Sequence, residues 1–324
     1  MQKEYTLAIV GATGLVGSYF ISILEELNLP ISNIRFFASS KSKGKQIKFK
    51  DKVYLVEELS NADLNNIDYA LFSAGQKVAK TYIPIFLDKG IKVIDNSSFF
   101  RMKEDVPLVI PEINFSDIKK DKRLIANPNC STIQSVVPLY FIHQEYILKK
   151  IFYSTYQSVS GSGIKGIFDL ESARDGYPCE FYEVDISKYC YPLIGNLDEN
   201  GYSEEENKMV NESRKILKAD DLDIESTCVR VPITYGHGVS IIFETDKELE
   251  IEKIKKKFKD NDVFIYHDKI SFPENITKDN YIHLMRFRVS KENPRRGMLY
   301  CFSNNLRKGA ALNAVQILQR LLNY

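Results

Sequence analysis

A short, mostly apolar run, Tyr5–Val10, passes without a break into Gly11-Ala12-Thr13-Gly14-Leu15-Val16-Gly17. Helical spacing then takes over at once, with Val16, Phe20, Leu24 and Leu27 on one stripe and Pro30 at its exit. Nothing else in the chain constrains its fold as tightly. Strand, glycine turn and helix in that order open a doubly wound parallel sheet. Glycines there permit a tight turn and let a pyrophosphate approach backbone N–H groups, and the helix N-terminus favours the phosphate charge. The spacing is G-x-x-G-x-x-G, which on its own would mark no more than a tight turn. With a strand before it and a helix after it, it points to a bound dinucleotide.

The alternation continues. Residues 34–38, 67–73 and Lys92–Asp95 read as further buried strands, and Gly75 opens a helical stretch reaching Asp88. The pattern changes near Pro128. A helix is predicted from Asn129 or Cys130 to about His143, then a long strand over 151–160 with Ile151, Tyr153, Thr155, Gln157 and Val159 on one face. Strand-like runs follow at 224–232, 239–245, 263–266, 281–289 and 298–303, with few helices between the later ones. That implies a mostly antiparallel sheet, whose exposed face suits a subunit interface. Ala311, Ala314, Val315, Leu318 and Leu322 form the stripe of a last helix, and the basic run from Lys253 to Lys259 reads as a solvated helix face. With 324 residues, two cores are expected. The fold class is therefore α/β: a Rossmann-type parallel-sheet domain over residues 1–128, and an α+β domain with a mostly antiparallel sheet over residues 129–304.

Composition excludes several classes of partner. Hydrophobic residues make up 44% and charged residues 27%, with a formal net charge of +1. This is a soluble, globular balance with no electrostatic reason to bind nucleic acid or an anionic membrane. No apolar run approaches the ~18 residues of a membrane span. Met1-Gln2-Lys3-Glu4 leads straight into the first strand, without the apolar segment and small-residue cleavage site of a signal peptide. The five cysteines are odd in number and contain no C-x-x-C pair, so neither a disulfide framework nor a zinc site is expected, and a reducing cytoplasm fits best.

Two places carry chemistry. The second strand ends in Phe37-Ala38-Ser39-Ser40-Lys41-Ser42-Lys43. An NAD site usually sets a carboxylate here for the ribose hydroxyls. None is present, and the hydroxyls and lysine of Ser39, Ser40, Lys41 and Ser42 suit a 2′-phosphate, so NADP is the expected cofactor; a solvated polar loop is the alternative. The second place is Asn127-Pro128-Asn129-Cys130-Ser131-Thr132. Asn129 is a good N-cap, which puts Cys130 in the first helical turn, where the dipole and free N–H groups favour a thiolate. Cys179, Cys190, Cys228 and Cys301 read as buried structural cysteines. Of four histidines, His237 stands between Gly236 and Gly238 just before a strand, where its ring is expected to be exposed and closely approached. His143, His267 and His283 read as ordinary surface or core residues. A cysteine with a histidine partner is consistent with acyl transfer through a thioester.

These motifs fall in a familiar order. Joined by Ser73-Ala74-Gly75, Asp95-Asn96-Ser97-Ser98, Phe100-Arg101, Tyr156-Gln157-Ser158-Val159-Ser160-Gly161, Arg230-Val231-Pro232, Gly236-His237 and Asn305-Leu306-Arg307-Lys308-Gly309-Ala310, they make the chain resemble the aspartate-semialdehyde dehydrogenase family over nearly its whole length. The resemblance implies Cys130 as acyl-accepting nucleophile, His237 as general acid/base, and Gln157 orienting the acyl group. It implies Arg230 for the substrate carboxylate, Arg101 for the phosphate with Asn129 and Lys208, and Glu205 for the amine, Glu204 and Glu206 being its close rivals. Gly11, Ala12, Thr13, Gly14, Leu15, Val16, Gly17, Ser73, Gly75, Ser160, Gly161 and Asn305 fall at positions near the cofactor. It further implies NADPH-dependent reduction of 4-phospho-L-aspartate in lysine (through diaminopimelate), threonine and methionine biosynthesis, with no metal. The last helix, within 305–324, would rejoin the nucleotide domain, the 129–304 domain would carry catalysis and dimerisation, and the enzyme would be a homodimer or tetramer. Residues 179–201 match nothing diagnostic. N-acetyl-γ-glutamyl-phosphate reductase shares the chemistry but usually has glycine before its cysteine, where this chain has Asn129. A non-catalytic NADP-binding paralogue would be marked by loss of the cysteine.

Overall fold

The computed structural model describes residues 4–323; Met1–Lys3, part of the start read above as free of a signal peptide, and Tyr324 lie outside them. The chain divides into two compact units, Met1–Pro128 with Ala310–Tyr324, and Asn129–Gly309.

The first unit follows the alternation of its sequence. Strand β1 (Tyr5–Val10) leads through the glycine loop to α1 (Leu15–Leu27) and on to β2 (Ile31–Ala38). A small hairpin, β3 (Gln46–Phe49) and β4 (Lys52–Leu55), precedes the two-residue edge strand β5 (Glu57–Glu58). Then come β6 (Tyr69–Phe72), α2 (Gln76–Asp88), β7 (Lys92–Asp95), the single turn α3 (Pro111–Asn114) and β8 (Leu124–Ala126). Six strands form one parallel sheet in the order β5-β2-β1-β6-β7-β8. The order reverses direction at β1, and in open α/β sheets ligands bind beyond the carboxyl ends of the strands at such a point. The second strand starts at Ile31, three residues before the apolar run suggested, because Ile31, Ser32 and Asn33 lie where the sheet is still open to solvent.

The second unit begins with α4 (Cys130–Tyr146), followed by β9 (Leu148–Gln157), α5 (Ile164–Arg174), α6 (Glu204–Leu217), β10 (Asp223–Arg230), β11 (His237–Thr245), α7 (Ile251–Lys259), β12 (Phe264–His267), β13 (Ile282–Val289) and β14 (Arg296–Ser303). Its six-stranded sheet runs β10-β9-β11-β14-β13-β12. The three central pairings are antiparallel, and the two edge pairings are parallel. One face of β9 is buried (Ile151, Tyr153, Thr155, Gln157) while the other leaves Phe152 and Tyr156 exposed. The strand stops at Gln157, and Val159 belongs to a 3-10 turn over Val159–Ser162: the N–H groups of Ser158 and Val159 leave the ladder for a histidine nitrogen and the carbonyl of Ile233. In α7 the lysines lie outside while Ile254 and Phe258 are buried, so the basic run is a solvated face.

Helix α8 (Leu312–Leu322) packs in the first unit. Ala311, Ala314, Val315 and Leu318 share a core with Leu24 of α1 and Ile94 of β7. Polar bonds fasten it as well: Asn313 Nδ2 donates to the carbonyl of Val109 (3.0 Å) and to Asn127 Oδ1 (2.8 Å), and Arg320 donates to the carbonyl of Pro111. Among the described residues, no helix is long and apolar enough to cross a membrane.

Leu318 is 1% exposed. Leu318→Ala should therefore cost about 2–5 kcal/mol, the usual loss for emptying a buried leucine site. Urea denaturation followed through the first unit measures it, and an unmoved midpoint would show that α8 adds nothing to that core.

Candidate active site

The second unit builds its site around the start of α4. Asn129 sits in extended backbone (φ −63°, ψ 149°), and its Oδ1 accepts the N–H groups of Ser131 (2.9 Å) and Thr132 (3.2 Å). Two N–H groups that a helix start leaves without a partner are thus satisfied, and Cys130 becomes the first helical residue. Its thiol is half-buried. Cys228 and Cys301 are fully buried, and burial pushes both thiols up to about 12, where they are inert. Cys190 is exposed and Cys179 half-buried, so these two are not core cysteines as expected; both lie in the irregular chain after α5. Gly309 keeps the space beside Cys130 open, since a Cβ there would lie 3.0 Å from the cysteine Cβ.

Asn129 is held from behind by α6. The Nδ2 of Asn129 donates to Glu205 Oε1 (2.8 Å), and its backbone N–H donates to Glu212 Oε2 (2.6 Å). Two carboxylates seven residues apart fall on one face of a helix, and here both are buried with Met209 between them. Gln157 Nε2 also donates to Glu205 Oε1 (3.2 Å), and Lys208 Nζ donates to Oε2 (3.2 Å). Burial by itself would raise the Glu205 carboxyl, but Lys208, Asn129 and Arg230 overcome it and hold the group at about 2. Its neighbours are separated from it by structure. Glu204 faces Asn196, and Glu206 closes a capping box with Ser203 and accepts the N–H of Cys228.

Arg230 ends β10 in register with Gln157 of β9. It is 4% exposed, and its Nη1 donates to the carbonyl of Ser158 (2.8 Å) and reaches Gln157 Oε1 (3.4 Å). The region that sequence left unassigned takes part here: Tyr191 pairs with Arg230 through reciprocal backbone bonds of 2.8 Å. Asp169 anchors that region by accepting the N–H groups of Glu180, Phe181 and Tyr182.

His237 is the first residue of β11, and its ring is fully buried rather than exposed. Gly236 (φ +86°) turns the chain so that the side chain points inward. The ring's Nδ1 accepts the N–H of Ser158 (3.0 Å), its backbone carbonyl accepts Gln134 Nε2 (3.0 Å), and Nε2 is buried without a partner. Gln134 lies one helical turn beyond Cys130, which places the histidine beside the nucleophile's helix. A Cβ at Gly161 would meet Arg230 Nη1 at 2.5 Å and His237 Nε2 at 3.2 Å, so the arginine and the histidine converge on that glycine. Burial first, and then the Arg230 charge, push the imidazole down to about 3 against the pull of Glu205. Asn305, expected near the cofactor, has its carboxamide among Ser158, Ser160 and the N–H of Gly236.

The first unit holds the other predicted residues. Gly11 and Ala12 spend their N–H groups on the carbonyl of Phe37, and Gly14 begins α1 with no side-chain capping bond. A Cβ at Gly11 would meet the carbonyl of Ser73 at 2.3 Å, and one at Gly17 the carbonyl of Gly11 at 2.3 Å; these glycines let the loop pack on its own sheet. Gly75 (φ +82°) opens α2. Ser40–Ser42 form a 3-10 turn after β2, with Ser39, Ser40 and Lys41 exposed and Ser42 buried against Thr13 (3.2 Å). Arg101 is buried, and its Nη2 donates to the carbonyl of Asn96 (2.9 Å).

Sequence reasoning missed Glu212, Ser158 and Gln134. Glu212 had a signal in its seven-residue spacing from Glu205. Ser158 had none, because it acts through a backbone N–H that every residue but proline carries.

Residues 6–121 match the family described as semialdehyde dehydrogenase, NAD binding domain, and residues 139–308 match semialdehyde dehydrogenase, dimerisation domain. Over 335 residues the chain is 42% identical to the aspartate-semialdehyde dehydrogenase of Aquifex aeolicus (strain VF5), with 98% of each covered. The chain belongs to the aspartate-semialdehyde dehydrogenase family. It is 40% identical to the enzyme of that name from Rickettsia bellii (strain RML369-C), over 99% of each. It superposes on the crystal structure of aspartate semialdehyde dehydrogenase II from Vibrio cholerae, complexed with ASA, at a TM-score of 0.95, with 35% identity and 99% of each chain covered. As an aspartate-semialdehyde dehydrogenase it is an oxidoreductase acting on an aldehyde group, with a dinucleotide-binding first domain, and the acetylglutamyl reductase alternative is not favoured.

Folding lowers the Glu205 carboxyl from 4.5 to about 2, so its stabilising effect is complete above about pH 4.5 and fades as pH falls toward 2. Glu205→Gln should destabilise the second unit by about 1–3 kcal/mol near pH 7. The difference from wild type should narrow as pH falls toward about 3, where wild type has lost part of that advantage. Urea midpoints at the two pH values measure it; a gap that does not change would mean the carboxylate is not the ionised hub described here.

Proposed function

We propose that the chain reduces 4-phospho-L-aspartate to L-aspartate 4-semialdehyde with NADPH, through a thioester on Cys130, as a step of amino-acid biosynthesis. The observation that carries this reading is the half-buried Cys130 at the start of α4, on a cap clamped by the buried carboxylates of α6. A structural cysteine needs no such support.

The cofactor fits what is present. The uncapped start of α1 offers N–H groups to a pyrophosphate, and no carboxylate follows β2 to repel a 2′-phosphate beside Ser39, Ser40, Lys41 and Ser42. When bound, NADPH supplies the hydride. The protein's own residues do the rest. The Cys130 thiolate, favoured at a helix N-terminus, attacks the acyl carbon and phosphate departs. Gln157 and Asn129, both anchored on Glu205, hold the acyl group in place, and Glu205 also meets the substrate amine. Arg230 gives the free arm of its fork to the α-carboxylate, and Arg101 with Lys208 takes the phosphate. His237, whose buried Nε2 has no partner among the described residues, acts as the general acid/base at the reacting carbonyl. Ser73, Gly75, Ser160, Gly161 and Asn305 complete the cofactor's surroundings.

A homodimer in the cytoplasm completes the reading. Phe152 and Tyr156 of β9 and Ile242 of β11, paired opposite Phe152, are about 40% exposed on one sheet face (41%, 43% and 39%), an apolar patch that a second copy would cover.

The direct test is NADPH formation from L-aspartate semialdehyde, NADP and phosphate. Activity should require phosphate and vanish in Cys130→Ala, and a variant retaining more than about a hundredth of wild-type rate would remove the covalent role. The two arginines should separate. Arg101→Leu should chiefly raise KM for phosphate, and Arg230→Leu should chiefly impair use of the aldehyde, each by about 10- to 150-fold per charge-assisted bond. Arg230→Lys should recover only part of the loss, since it lacks the planar fork. Paired saturation curves decide this, and equal effects on both substrates would overturn the assignment.

A further inference from the structure

One buried charge in the first unit takes no part in the chemistry above. Asp95 ends β7 and is fully buried. Both oxygens of its carboxylate go to one residue: Oδ1 accepts the N–H of Ser97 (2.8 Å) and Oδ2 accepts the Ser97 hydroxyl (2.7 Å). A carboxylate can serve both because it offers only lone pairs. Burial pushes the group up to about 6 against those two bonds and the nearby Arg101 charge. Turning the chain at a strand end does not need this. An asparagine or serine accepts the same N–H without the cost of a buried charge.

The reason lies in the peptide group that the carboxylate holds. The N–H of Ser97 and the carbonyl of Asn96 belong to one planar trans peptide, so they point in opposite directions. At the carbonyl end sits Arg101, 6% exposed, whose Nη2 donates to that oxygen from 2.9 Å. One peptide is thus strung between a buried anion and a buried cation, with its dipole favourable to both. The residue before it is fixed as well. The Asn96 N–H donates to the carbonyl of Phe72 (2.9 Å), the Asn96 carboxamide oxygen accepts Asn127 Nδ2 (2.8 Å), and the Asn127 N–H donates to the carbonyl of Asp95 (2.8 Å). Rotating the peptide would break the Ser97 bond to Asp95 and carry the Asn96 oxygen away from the guanidinium.

We propose that Asp95 is a positioning residue for phosphate recognition: by gripping the Asn96–Ser97 peptide it sets the carbonyl that pins one corner of the planar Arg101 guanidinium. This rests on the phosphate role proposed above for Arg101. Asp95 needs no contact with the substrate, because it acts through the peptide.

The test is a double-mutant cycle between Asp95 and Arg101 on the full chain. Saturation curves in inorganic phosphate and in L-aspartate semialdehyde are recorded for each variant, and NADP titration reports the fold of the first unit. Asp95→Ala should raise KM for phosphate by about 3- to 12-fold, the worth of an ordinary hydrogen bond, with KM for the aldehyde and NADP affinity within about twofold of wild type. Asp95→Asn keeps an acceptor for the Ser97 N–H and should restore phosphate KM to within about twofold. In an Arg101→Leu chain, Asp95→Ala should add nothing to phosphate KM, because no guanidinium is left to place. Should Asp95→Ala fail to fold, Ser97→Ala takes its place, since it keeps the N–H and loses only the hydroxyl link; a smaller rise in phosphate KM is expected, again absent beside Arg101→Leu. The proposal is overturned by an unmoved phosphate KM in the folded variant, by equal losses for phosphate and aldehyde, or by a loss that multiplies with that of Arg101→Leu. If Arg101→Leu itself leaves phosphate KM unchanged, the phosphate role of Arg101 falls and the positioning role with it. A raised KM there beside an unmoved Asp95→Ala overturns the positioning role alone, so the two failures stay distinct.

Discussion

The site of the second unit depends on one buried carboxylate. Glu205 is 5% exposed, yet it stays ionised because Lys208, Asn129 and Arg230 surround it. Taking such a charge out of water costs several kcal/mol and is tolerated only when its lone pairs are matched. Here the matching does two jobs. The groups that satisfy Glu205 are the N-cap of the nucleophile's helix, the glutamine of β9 and a lysine one turn along α6. Satisfying the charge therefore aligns three elements on one point, and losing it would loosen all three.

Around that hub, backbone groups do as much as side chains. Ser158 holds the histidine with its N–H and the arginine with its carbonyl, and both bonds exist because β9 ends at Gln157 and frees those groups from the sheet. Gly161 contributes by lacking a side chain: any Cβ there would collide with the Arg230 guanidinium. In the first unit Gly11 and Gly17 do similar work against backbone carbonyls, which leaves Gly14 at the uncapped helix start. All three glycines of the motif thus lie close against backbone: a Cβ would meet a carbonyl at 2.3 Å on Gly11 and Gly17 and at 3.2 Å on Gly14.

Much of this was legible in the sequence, and the reason is locality. Tyr5–Val10, the glycine turn and the stripe of α1 encode strand, turn and helix within neighbouring residues, and the Asn129 cap acts over two and three positions. The apolar alternation of β9 reported its buried face down to Gln157 for the same reason. Errors arose where a residue's surroundings come from elsewhere. His237 was expected to be exposed by its flanking glycines, but residues 79 positions away enclose it. Cys190 was expected in a core and is exposed, because irregular chain offers no period from which burial can be read.

The sequence by itself determined the two architectures, the helix-start cysteine, the glycine loop and the absence of a carboxylate after β2, all set by short-range stereochemistry and side-chain type. Tertiary structure alone decided that Glu205 rather than Glu204 or Glu206 points inward, that Glu212 grips the backbone of Asn129, and that the His237 ring is enclosed against the N–H of Ser158. Those outcomes are made by contacts between residues 48 to 83 positions apart, such as Gln157 with Glu205, Ser158 with His237 and Asn129 with Glu212, and only packing brings such partners within hydrogen-bonding distance.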